Sequence, residues 1–147
     1  MRFREASAWA TAVIVGVIFG WFLTAALAHP ASTIPLLLRA IFATIVWEVL
    51  IHIAFAVRKA PEPIDTEDKR IRGTARLFGL GALGLGTLIT IVSVTTPGLI
   101  HNLPLLRDMP RSMLLLDITA ATLAFAEIVK SGATISLYRA NALSHAH

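Results

Sequence analysis

The chain has 147 residues, 56% of them hydrophobic, with a mean hydropathy of +0.73. Charged residues make up only 15%, against roughly 25% in a soluble domain, so a water-soluble globule of this size is excluded. There is no cysteine, which removes disulfides, thiolate chemistry and cysteine metal sites. The net charge of +4 is gathered at segment ends, as in a membrane protein, and does not form a nucleic-acid surface.

The first apolar segment covers about 7–28. Its Ala8, Ala12, Gly16, Gly20 and Thr24 recur every four residues and include the G-x-x-x-G "GVIFG". Small residues at that spacing let helix backbones approach closely in lipid. "AALAHP" offers an A-x-A-like cleavage site ending at Ala28. The run before it is about 22 residues, longer than the roughly 7–15 of a signal-peptide core, so a retained span is expected.

"HPASTIP" turns the chain, with Pro30 and Pro35 bracketing the reversal. The second segment, about 36–57, carries "TIVWEVLIHI". Thr44, Glu48 and His52 line up there at a spacing of four, inside a stretch otherwise suited to lipid. Trp47 and Phe55 flank them and offer either a cation–π wall for an organic cation or lipid-facing packing.

"RKAPEPIDTEDKRIRG" follows, the most charged stretch of the chain. Thr66 is placed to cap a helix that starts at Glu67 and extends the third segment out of the bilayer. The other reading of this stretch is a docking surface for a partner or for anionic lipid. The third segment, about 74–96, has its own small-residue stripe of Ala75, Gly79, Ala82, Gly86, Thr90 and Ser93. Two arrangements suit these stripes: a seam between helices one and three, or an oligomer interface. "GLGALGLG" lacks both G-x-G-x-x-G and a P-loop lysine, so no nucleotide site is expected.

"PGLIHNLPLLRDMPR" leads to the fourth segment, about 112–138. Asp117, Ala120, Ala124, Glu127, Ser131, Thr134 and Tyr138 share one helical face. Lys130 stands three residues beyond Glu127, within reach of an ion pair.

Each segment is near or above the ~20 residues that cross a hydrocarbon core as a helix. The expected fold is a single all-α, four-helix transmembrane bundle over 1–147, with a cytoplasmic loop at 58–73. Ten of the thirteen Lys and Arg lie at the N-terminus, in the middle loop and near the C-terminus; Arg39, Arg107 and Arg111 lie on the other side. The positive-inside rule then puts both termini in the cytoplasm. The chain also reads as two tandem hairpins. Glu48 lies ten residues before Arg58 and Glu127 twelve before Arg139, so at ~1.5 Å per residue the two carboxyls reach similar depths.

A charge at the bilayer centre costs at least ~2.5–3.5 kcal/mol. Glu48, His52, Glu127 and Lys130 are therefore expected to face inward, towards one another or a wet cavity. Two readings fit them. One is a buried polar clamp that orients helices two and four, in a non-catalytic structural or regulatory subunit. The other is a protonatable site, with Asp117, Thr44, Ser131 and Trp47 around it, for proton-linked binding or transport of a small solute, in a homodimer or other homo-oligomer. A third class is a haem or metal protein using His29 and His101, which fall at segment ends on one side. The tail "HAH", His145 and His147, has no partner ligand in the pattern. No nucleophile–base–orienter set is present in the sequence, so no enzyme is expected.

"DTEDKRI" at the entry to the third span, and an acidic residue followed by "SLYR" at the close of the fourth, resemble a family of small four-span bacterial membrane proteins of unknown function. The resemblance covers the second half of the chain. It implies four spans and a prokaryotic inner membrane, and no activity. Small multidrug carriers also have four spans, but their essential glutamate lies in the first span, where this chain has none.

Overall fold

In the computed structural model the described residues are 3–58, 66–96, 98 and 109–144. Nearly all of them are helical, and no strand occurs among them. The elements are α1 (Phe3–Ala28), a 3-10 turn (Pro30–Ser32), α2 (Thr33–Arg58), α3 (Thr66–Thr95) and α4 (Arg111–Ser144). Each of the four helices is long and apolar enough to cross a membrane. The fold is the expected all-α bundle of a multi-pass membrane protein.

The helices overrun the apolar segments because their charged ends stay helical. α3 starts at Thr66, with Glu67 and Asp68 in its first turn, where acids favour the helix dipole. Polar residues inside the spans are tolerated in part because their hydroxyls bond their own helix. Thr24, Thr44, Thr90, Ser93, Thr119 and Thr134 each donate to a carbonyl four residues back. A backbone or hydroxyl left unsatisfied in hydrocarbon would cost several kcal/mol.

The arrangement differs from the expected seam between α1 and α3. α4 lies between them and packs along both, while α2 packs along α1 and touches α4 only briefly. The α3 stripe faces α4 along Gly79 and Gly86, whereas the α1 stripe approaches it at Gly16 and leaves Gly20 and Thr24 exposed. Ile128 is the neighbour a Cβ at Gly16 would meet. A Cβ at Gly79 would lie 3.1 Å from the Cβ of Lys130 and 3.4 Å from the Ala126 carbonyl. At Gly86 it would come within 2.6 Å of Thr122 Oγ1 and 2.9 Å of Thr122 Cβ. No side chain larger than hydrogen fits Gly86 with Thr122 in place.

These contacts fix the directions. α4 runs antiparallel to α1 (Glu5 meets Arg139) and to α3 (Asp68 meets Tyr138). One end of the bundle therefore carries the starts of α1 and α3 and the close of α4; it is called the terminal end here. The hairpin end carries the 3-10 turn and the start of α4. Its apolar core is Phe22, Ala26, Ala40 and Ala120, with Phe19, Leu36 and Leu37 packed against it.

Candidate functional site

α4 carries most of the polar chemistry. At the terminal end the Tyr138 hydroxyl donates a 2.6 Å hydrogen bond to Asp68 Oδ1 of α3, and both residues are buried. Next to it, Arg139 Nε donates to Glu5 Oε1 of α1 at 3.2 Å, and the guanidinium lies 5.6 Å from the centre of the Trp9 ring, a cation–π distance. One turn of α4 thus holds both neighbouring helices. Neither pairing follows from spacing, since the partners are 70 and 134 residues apart. The available signal was that all of them sit where an apolar segment meets its charged flank.

Midway along α4, Lys130 Nζ sits 2.6 Å from Glu127 Oε2, within one turn of helix. The pair expected from sequence is formed. It is not sealed: the side chains keep 43% and 33% of their exposure. The Lys130 stem lies across Gly79 of α3. Ser131 is buried beside the pair, and Thr134 bonds the Lys130 carbonyl.

On α2 the buried or half-buried residues among those described are Thr33, Leu36, Leu37, Ala40, Ala43, Thr44, Glu48 and Ile51, one face of the helix. Glu48 is half-buried on that face. Its carboxylate makes no hydrogen bond or ion pair with another described side chain. α2 meets α4 near the hairpin end, where Leu37, Ile41, Leu116, Ala120 and Leu123, with Phe19 of α1, line an apolar groove of about 360 Å³. Glu48 lies about two turns beyond Ala40, away from that meeting point. No hydrogen bond or ion pair joins Glu48 to Glu127 or Lys130 among the described residues. Trp47 is half-exposed on the outer side of α2. His52 belongs to α2, but its side chain and that of Phe55 lie outside the described residues.

At the hairpin end, Asp117 is 5% exposed, and neither carboxylate oxygen has a hydrogen-bond partner among the described residues. Thr33, the first residue of α2, is fully buried, and its hydroxyl is likewise unpartnered. Asp117 belongs to the stripe read from sequence; what spacing could not reveal is that no donor meets it. His29 is exposed at the turn, and His101, His145 and His147 lie outside the described residues. No group of three candidate metal ligands occurs among the described residues.

The chain matches no protein-family model, no curated protein and no solved structure.

Proposed function

We propose that this four-span protein binds or moves a small solute in a proton-linked manner, using the polar face of α4. The observation that carries this reading is the Glu127–Lys130 pair, placed midway along an apolar span and left a third or more exposed. Ionisable groups at such depth are costly, and they mark polar pathways when they are not fully enclosed. Glu48 lies half-buried on α2 without a partner among the described side chains and supplies a second carboxyl. In this reading the protein sits in a bacterial inner membrane with both termini in the cytoplasm. It works as a homo-oligomer, because four helices enclose little cavity by themselves.

The test uses full-length protein in vesicles loaded with a pH-sensitive dye. A panel of small amines, carboxylates and neutral amino acids is added outside. The expected result is a solute-dependent pH change that Glu127→Gln abolishes. A full panel with no pH change in the wild type overturns the reading.

A second reading, a structural or regulatory subunit, is favoured by the Lys130 stem resting on Gly79, which ties the pair to the α3–α4 contact. It predicts that Glu127→Gln lowers thermal stability, with no solute-dependent signal in either protein. The haem or metal reading would rest on His29 and His101, and an absorption spectrum of purified protein tests it.

A further inference from the structure

We propose that Asp117 is the proton-exchanging carboxyl of this bundle and that it is loaded from the hairpin end. This deepens the proton-linked reading and rests on it. The sequence pattern favoured Glu48 and Glu127 for the role, but the geometry favours Asp117. Glu127 already has a cation at hydrogen-bond distance, and Asp68 has a tyrosine. Asp117 is buried with two oxygens that no described residue donates to. A carboxylate cannot remain charged and undonated in an apolar interior. Something mobile must neutralise it.

Among the described residues, no fixed charge faces it from the elements packed against α4. From Ala10 to Ala28, α1 holds no titratable residue, and His29 just beyond is exposed. From Leu77 to Thr95, α3 holds none. On the hairpin half of α2 the only charge is Arg39, which is exposed. On α4 itself Arg111 is exposed, and the Glu127–Lys130 pair lies ten residues or more away, about 15 Å along the axis. The proton is therefore the natural counter-charge: a carboxylate takes one H⁺ from hairpin-side water to become the acid and returns it by the reverse step.

The approach is short. Asp117 lies six residues past Arg111, about 9 Å from the start of α4. Thr33 is at the same end. α2 runs parallel to α4 with Ala40 and Ala120 in one cluster, so Thr33 and Asp117 stand about one turn apart along the bundle. A buried hydroxyl with no partner can both accept and donate a proton, which suits a relay towards Asp117.

The probe is dicyclohexylcarbodiimide, an apolar reagent that captures protonated carboxyls as stable acylureas. Full-length protein in phosphatidylcholine vesicles is treated at pH 5 to 9, and the adduct is located by peptide mass mapping. The expected result is an adduct on Asp117 whose yield falls at least tenfold as pH rises. Asp117→Asn removes that adduct, and Asp117→Glu restores it. The labelling of the wild type stands even where a variant fails to fold.

An adduct confined to Glu48 or Glu127 overturns the proposal. So does protection by sodium or potassium at fixed pH, which would make Asp117 a metal-cation site. The dye-loaded vesicles separate this proposal from the reading beneath it. Solute-dependent pH change retained in Asp117→Asn but lost in Glu127→Gln sinks the Asp117 proposal alone. Labelling of Asp117 with no solute-dependent signal in the wild type sinks the solute reading and leaves the proton site standing.

Discussion

The two ends of α4 treat a buried acid in opposite ways. At the terminal end Asp68 of α3 accepts a 2.6 Å bond from Tyr138, and beside it Glu5 accepts from Arg139. At the hairpin end Asp117 is equally buried, yet no donor reaches it. Burial is the same; the supply of donors differs. A matched acid contributes to stability, whereas an unmatched one lowers it. The terminal end is built to hold, and the undonated acid at the hairpin end is what the proposal of exchange rests on. Substitutions at and between the two ends sharpen or break that contrast.

The largest effect is expected between the ends, at Gly86. A Cβ there meets Thr122 Oγ1 at 2.6 Å and Cβ at 2.9 Å, and a threonine has few rotamers with which to withdraw. Gly86→Ala should destabilise the bundle by about 2–3 kcal/mol, in the upper range for overpacking. It should loosen both ends at once, because this contact sets the register of α3 on α4. Unfolding in mixed micelles measures it. The double variant with Thr122→Ala should recover most of the loss; no recovery would mean that Gly86 matters for a reason other than this contact.

Next comes Tyr138→Phe. It removes the hydroxyl that donates to Asp68 and keeps the ring. A hydrogen bond to a buried acid is worth about 1–3 kcal/mol, and a loss of about 1–2 is expected in the same unfolding experiment. A change below a few tenths would erase the distinction between the ends.

Much of this architecture is legible in the sequence. The spans expected at 7–28, 36–57 and 112–138 fall inside α1, α2 and α4, and the one at 74–96 overruns the end of α3 by a single residue, because apolar length is a local property that each segment carries by itself. The Glu127–Lys130 pair is legible for the same reason, as both residues ride one helix at a fixed spacing. Partner choice is not local. Ala8 to Thr24 and Ala75 to Ser93 look alike as stripes, and nothing in either says that α1 and α3 both pack on α4 instead of on each other, or that Gly20 and Thr24 stay exposed. The peripheral place of α2 is equally hidden: its apolar window is 6% buried against 22% for α4, although both read as apolar helices with a glutamate. The special state of Asp117 depends on what three other helices fail to offer it, and a pattern on one helix cannot encode that.

Asp117→Ala tests the contrast from the hairpin end. Removing an acid that has no partner deletes its desolvation cost and leaves a space of only a few atoms. The expected change is within about 1 kcal/mol, in the stabilising direction. The sign matters more than the size. A loss as large as that of Tyr138→Phe would mean that Asp117 holds the bundle together as Asp68 does, and the two ends would then be alike.

The smallest effect belongs to Glu5→Gln. Its partner Arg139 is 62% exposed, so water and salt weaken the attraction, and exposed pairs contribute about 1 kcal/mol or less. A loss of a few tenths is expected at low salt, and none at 0.5 M, where the Debye length is down to about 4 Å. Arg139 keeps its place over Trp9 in this variant, and a cation–π contact is screened less than an ion pair in open water. Arg139→Gln should therefore cost more than Glu5→Gln and should retain part of its cost at high salt. If the two variants respond identically, the ring contributes nothing, and the grip of α4 on α1 at the terminal end comes from the Glu5–Arg139 pair and packing alone.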